Sequence, residues 1–474
     1  MLLFRSDNAR SAVFLHDKST TMVFFKICYI VAFLMTAGLF LAFAEDDLII
    51  VKTRFGSVRG NTRRFDDLSM PIRAVDKFLG IPFAAPPVGD LRFKPPQPPQ
   101  VWNPSIYDAS HFKDICIQDP EYNEFFWPNL SIPQSEDCLY LNVYSPHRNS
   151  SSKELFPVMV YIHGGGYEAG TPAVSPGDVI PLWGVVLVTI QYRLGPFGFI
   201  TSGDVKAPGN YGMLDQIEAL KWVKDNIEMF GGDPSSVTIF GESAGGSSVG
   251  LHVLSPLSKG LFHRAIAISG VELSPYAIGS NITAVVHTND LAKKLGCATG
   301  ETAATISCLR SKEAQKLLLL DRANIWRPVV DGNFLPDTPE ELRKSGRFNK
   351  VPLMAGFTSQ EGAYFFPSQI ENVTPTTFRK NLLFAFKYIL NKYGQTLETP
   401  NRHEVPNSLL DAVVFQYTPW PYASDSHKLK RGFSDVITDS CVAEPAHASL
   451  RYHSTQQRAF LYEFAHRSKL DPEP

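Results

Sequence analysis

The stretch Val237-Thr238-Ile239-Phe240-Gly241-Glu242-Ser243-Ala244-Gly245-Gly246 decides how this chain is read. Its first four residues are apolar or β-branched and predict a strand. They run straight into a G-x-S-x-G turn, and small residues then lead into Val249-Gly250-Leu251-His252-Val253-Leu254, a helix. A serine at the tip of such a strand–turn–helix unit holds its Oγ clear of the sheet. The helix N-terminus behind it favours developing negative charge. Glycines flank the serine because a Cβ there would clash with the tight backbone. The pentapeptide alone also fits a turn without chemistry, so its surroundings carry the argument.

Upstream, Val158-Met159-Val160-Tyr161-Ile162 predicts a buried strand, followed by His163-Gly164-Gly165-Gly166-Tyr167. Consecutive glycines leave backbone N–H groups free to converge on one atom, as an oxyanion hole requires. The expected donors are Gly165, Gly166 and Ala244, the last being the residue after the nucleophile. A glycine triplet by itself is an ordinary loop. Both motifs, each after an apolar strand and in this order, point to acyl transfer with Ser243 as nucleophile.

Further blocks share a pattern with these two. They are Phe78-Leu79-Gly80-Ile81-Pro82-Phe83-Ala84, Ser135-Glu136-Asp137-Cys138-Leu139-Tyr140-Leu141-Asn142 and Tyr192-Arg193-Leu194-Gly195. Downstream come Gly209-Asn210-Tyr211-Gly212-Met213-Leu214-Asp215-Gln216 and Val330-Asp331-Gly332. Together with Gly241 to Gly270 they resemble the carboxylesterase/cholinesterase (type-B carboxylesterase) family of α/β-hydrolases, from about Val51 to Arg467. The resemblance implies an α/β fold in which helices flank a central, mostly parallel sheet. It also implies buried ion pairs Arg92–Glu136 and Arg193–Asp215, and disulfides Cys116–Cys138 and Cys297–Cys308.

A chain of 474 residues with 44% hydrophobic and 12% aromatic content can bury a large core. Length alone allows two or three domains, but the motifs spread one catalytic unit over the chain. The formal net charge is −2 with no basic block, which argues against nucleic acid as a partner. Near the N-terminus, Met22, Lys26, the apolar run Ile27 to Leu41 and Ala42-Phe43-Ala44 read as a cleavable signal peptide. The expected organisation is therefore an upstream extension at 1–21, a signal peptide at 22–44 and a catalytic domain at 45–474. The alternative for 27–44 is an uncleaved anchor, the one route to a membrane. A secreted or extracellular location fits the disulfides, and fits sequons at Asn129, Asn149, Asn281 and Asn372. Cys441 is left as a buried free thiol or as the partner of a cysteine outside the chain.

Serine needs a base to remove its proton, and the base needs a carboxylate to orient it. Glu361, after the strand-like Leu353-Met354-Ala355-Gly356-Phe357, matches the family's acid. The family's histidine precedes a glycine roughly a dozen residues after a block like Phe460 to Arg467. None of His403, His427, His447, His453 and His466 precedes glycine, and the sequence given stops at Pro474. The resemblance thus implies a catalytic domain cut short of its base, nearly inert as an esterase, with apolar surface bared at its C-terminal part. This route needs no cofactor, and no His or Cys spacing suggests a metal.

The expected substrate is a small carboxylic ester. Resemblance to cholinesterases points to Tyr364, Phe365 and Trp420 as pocket aromatics and to Glu242 beside a cationic headgroup. Trp127 stands about one residue from the family's choline-site tryptophan. Arg322 and Asn324 replace acyl-pocket phenylalanines, and Tyr276 replaces a pocket tryptophan. These departures favour a general carboxylesterase. The alternative is a non-catalytic adhesion or binding protein of the neuroligin type, which shares the fold. Oligomeric state is not legible in the sequence.

Overall fold

The computed structural model describes residues 47–65, 69–121, 130–148, 153–175, 177–320, 326–365, 372–393 and 407–466. The expected leader at 22–44 lies outside these, as do Trp127, Asn129, Asn149, Arg322 and Asn324. In chain order the strands are β1 (Asp47–Lys52), β2 (Ser57–Arg64), β3 (Ala74–Pro82), β4 (Ile106–Asp108), β5 (Ile115–Cys116), β6 (Gln134–Ser135) and β7 (Tyr140–Pro146). They continue with β8 (Phe156–Ile162), β9 (Val186–Ile190), β10 (Gly232–Glu242), β11 (Arg264–Ile268), β12 (Leu353–Thr358) and β13 (Ala459–Phe464). Five helices position the site: α1 (Tyr211–Asn226), α2 (Ala244–Leu254), α3 (Pro339–Lys344), α4 (Ser426–Thr438) and α5 (Glu444–Ser454).

Eleven strands form one sheet in the order β1-β2-β3-β7-β9-β8-β10-β11-β12-β13, with β4 joined to β2. From β9 through β13 every pairing is parallel, whereas β2, β3 and β7 run antiparallel to their neighbours up to β9. Strands covered on both faces read as unbroken apolar runs. Val186-Leu187-Val188-Thr189-Ile190 is such a run, and every residue of it is buried. On one face Val158, Val160 and Ile162 of β8 and Val237 and Ile239 of β10 enter the main core with Leu251 and Val253 of α2. On the other face Met159, Tyr161 and Phe240 pack with Tyr144 and Leu187. All residues of α2 are buried, as expected for a helix without a polar face. The fold is that of an α/β-hydrolase.

Strand order reverses at β8: its successor β9 lies on one side and β10 on the other. A crevice opens beyond the C-terminal strand ends at such a switch point, and ligands bind there. Both sequence motifs end at this place. The register Ile239↔Val160 and Gly241↔Ile162 sets the serine turn beside the glycine loop.

Buried charges lock the scaffold around the sheet. The Arg193 guanidinium donates to both carboxylate oxygens of Asp215 at 2.8 and 2.7 Å. Arg92 pairs with Glu136 and also reaches the carbonyls of Arg310 and Lys312. A third pair, Arg343–Glu272, is fully buried at 2.7 Å. Arg343 also donates to Nδ1 of His453, whose Nε2–H then donates to the carbonyl of Val351. Cys116–Cys138 and Cys297–Cys308 are both disulfide-bonded, and Cys441 is a buried free thiol. A loop of either size contributes roughly 3 kcal/mol on the chain-entropy account. At the sheet's end, β13 pairs with β12 alone among the described strands, and Phe460, Leu461 and Phe464 are exposed there.

These pairs predict a graded response to charge removal. Arg193→Ala strands a buried carboxylate and is expected to cost about 3–5 kcal/mol in urea unfolding. Arg54→Ala, whose partner Asp225 is open to water, is expected to cost less than about 1 kcal/mol. Equal losses would refute the reading of Asp215 as a scaffold charge.

Candidate active site

Ser243 sits between the end of β10 and the start of α2 with φ 57° and ψ −122°. A non-glycine residue there is strained, and the strain is held by neighbours on both sides. The Ser243 N–H donates to the Ile268 carbonyl at 2.9 Å, and its own carbonyl accepts from Ser247 N–H at 2.9 Å. Tight packing explains the glycine two residues on: a Cβ at Gly245 would stand 2.1 Å from the Ile162 carbonyl oxygen. The first N–H groups of α2 face the serine, which adds the favourable end of the helix dipole.

The glycine loop is fixed from several directions. Gly165 has φ +101°, and its carbonyl accepts from Glu168 and Ala169 at 3.1 and 3.0 Å. Gln118 pairs with both backbone groups of Gly170, and Gly195 N–H donates to the Tyr167 carbonyl. From the opposite side Arg327 donates to the Gly166 carbonyl, and Glu168 accepts from Trp326 N–H at 2.7 Å. With those carbonyls engaged, the glycine peptides are held in one orientation. A Cβ at Gly164 would lie 3.1 Å from Ser243 Cβ, so the loop abuts the serine itself. His163, at the loop's start, stacks on Tyr192 at 4.4 Å, and burial lowers its pKa to about 4. It is a neutral structural ring.

Glu361 opens a single helical turn, Glu361–Phe365, after β12. Its Oε1 accepts from Thr358 N–H and from the Ser269 hydroxyl, both at 2.6 Å. Ser269, with φ 51°, follows β11 and orients the acid. Ser269 has no local sequence cue, although it lies in the block Gly241 to Gly270 that carries the resemblance. Among the described residues no histidine hydrogen-bonds to Ser243 or Glu361. His453 is committed to Arg343 and Val351, and His403 lies outside the described residues.

Of the expected pocket residues, two lie beside the serine. A Cβ at Gly164 would meet Glu242 Oε2 at 2.7 Å, and one at Gly270 would meet the Tyr276 hydroxyl at 2.9 Å and the Ser243 carbonyl at 2.4 Å. The Tyr276 hydroxyl donates to the Ser269 carbonyl at 2.7 Å, and burial pushes its pKa upward. Trp420 is elsewhere in its contacts: it is 60% exposed, its indole N–H donates to the Phe415 carbonyl, and its ring packs on Phe415. The backbone of Tyr364 and Phe365 follows Glu361, but their side chains lie outside the described set.

Crowding by protein raises the Glu242 pKa from 4.5 to about 7, with the charge of Glu361 adding to it. By surface area the same side chain is exposed. The two fit a group lining a recess, crowded yet open to water. The crowding sets the direction of the shift, while the open surface limits the energy it represents.

Two outcomes follow. Gly245→Ala drives a Cβ into the Ile162 carbonyl and is expected to destabilise by about 1–3 kcal/mol, whereas Gly300→Ala, with open space around it, changes stability by less than about 1 kcal/mol. Folded Glu242 holds its proton more tightly than the unfolded side chain. Its stabilising contribution is complete below pH about 4.5 and is lost as pH rises through about 7. Glu242→Gln should remove that part of the pH dependence of the urea midpoint. An unchanged profile would show that Glu242 does not titrate there.

Comparison with known proteins agrees with this geometry. A family model described as the Carboxylesterase family matches residues 47–474. Carboxylesterase 5A of Canis lupus familiaris is 39% identical over 435 residues, covering 89% of this chain and 71% of that protein. Cocaine esterase of Oryctolagus cuniculus is 38% identical, covering 88% of this chain and 77% of that protein. Neuroligin-3 of Mus musculus is 36% identical, covering 88% and 54% respectively. A match this long, on a sheet whose switch point holds a serine elbow against a glycine loop, has one meaning: the chain belongs to the carboxylesterase family of ester hydrolases.

Proposed function

We propose that this protein is a secreted serine esterase that cleaves small carboxylic esters through an acyl-enzyme. Ser243 Oγ attacks the carbonyl carbon, and the N–H groups of Gly165, Gly166 and Ala244 hold the resulting oxyanion. Glu361, fixed by Ser269 and Thr358, orients the base. The carrying observation is the contact between the glycine loop and the serine elbow across β8 and β10. Two disulfides and exposed sequons at Asn281 and Asn372 support the secretory compartment.

An ester with an uncharged alcohol part fits best. Near neutral pH a group with pKa about 7 is only partly ionised, so Glu242 offers less than a full charge to a cationic headgroup. Trp420 packs on Phe415 instead of offering a free aromatic wall.

Among the described residues no histidine hydrogen-bonds to Ser243 or Glu361, so in this reading the serine proton has no base in place there. Loss of the base costs on the order of 10⁶ in rate, leaving about 10³–10⁴ over water from the oxyanion hole and binding. The second reading, a non-catalytic binding protein, draws on the same observation and on the similarity to neuroligin-3.

The purified chain is expected to turn over p-nitrophenyl butyrate slowly. Added imidazole should raise the rate, and Ser243→Ala should abolish the rise. Efficient turnover without imidazole would contradict the missing base. A folded chain that imidazole leaves unchanged would favour the binding reading.

A further inference from the structure

Helix α2 starts at the serine and ends at Leu254, about 16 Å away for its length. A groove of about 610 Å³ opens at this far end, bounded by the loop before β11 and by the segment joining α3 to β12. Its volume is that of a small-molecule site. The floor is apolar, made by Leu254, Phe262 and Phe348, each at most 8% exposed. Lys259, Arg347 and Lys350 are among the residues that line it.

The charges are unevenly matched. No carboxylate side chain is among the residues that line the groove. Arg347 is paired with Asp337 at 2.6 Å, outside the lining. Lys350 donates to the Gly346 carbonyl and, among the described residues, sits over the ring of Phe348, 3.4 Å from its centroid. Burial and the nearby Arg343 charge lower its pKa, so a bound anion would be welcome there. Lys259 is exposed, and Lys224 adds another cation by donating to the carbonyl of Gly260 in the same loop. Glu272 does not compensate, since it is fully buried and paired with Arg343.

We propose that this groove binds a small amphiphilic monoanion, an alkyl carboxylate of medium chain length. The alkyl chain lies on Leu254, Phe262 and Phe348, and the carboxylate meets Lys259 and Lys350. The site is separate from Ser243 and does not depend on the chain's being an esterase.

The test is photolabelling of the full chain with a diazirine-bearing decanoate, mapped by peptide mass. Labels are expected in peptides covering 254–262 and 336–351, competed by decanoate but not by decanol or decyltrimethylammonium. In Lys259→Glu/Lys350→Glu the groove labelling should fall by about ten-fold or more, equivalent to about 1.4 kcal/mol. Wild-type labelling should also fall as salt rises from about 0.05 to about 0.5 M, which keeps the test open if the double variant folds poorly. Labels confined to the neighbourhood of Ser243, equal competition by decanol, or indifference to both charge reversal and salt would overturn the proposal.

Discussion

The parallel pairing of β8 with β10 is the constraint on which the site depends. It sets Gly241 opposite Ile162, so the turn after β10 and the loop after β8 leave the sheet side by side. A slip of one residue would turn Val158, Val160 and Ile162 out of the core and move the glycine loop away from the serine. The register is therefore held by core burial, and the chemistry is placed as a consequence. Strain at Ser243 persists because Ile268, Ser247 and the close approach of Gly245 to Ile162 leave it no alternative.

Around that pairing, long-range polar contacts give the elements fixed positions. Arg193–Asp215 ties the loop after β9 to α1. Glu272, Arg343 and His453 join the loop after β11, α3 and α5, and His453 passes the link on to Val351 just before β12. Arg327 and Glu168 clamp the glycine loop against the segment that precedes Val329. Each of these contacts spans distant parts of the sequence, so each costs chain entropy that only the assembled fold can offset.

That distance explains what was legible. The strand at Val158, the serine turn and the glycine run have local signatures, and their order pointed to acyl transfer; the sheet then brings them to one crevice. The disulfides and the ion pairs Arg92–Glu136 and Arg193–Asp215 came from the family resemblance, and the structure forms all four. Ser269, Arg327 and the Glu272–Arg343–His453 chain carry no local pattern, because their partners are up to 161 residues away. His453 looked like one more histidine without a following glycine, and in the fold it is a buried structural ring. Trp420 marks another limit: an aromatic side chain in sequence gives no sign of whether it faces a pocket or the surface, and in the fold it is 60% exposed and packs on Phe415.

In this active site Ser243 and the glycine loop are expected to act on the same atom. The most direct measurement is a crystal structure of the protein carrying a phosphonate adduct on Ser243. The expected result is a phosphonyl oxygen about 2.7–3.1 Å from the backbone nitrogens of Gly165, Gly166 and Ala244. An adduct whose oxygen points away from those groups would contradict it.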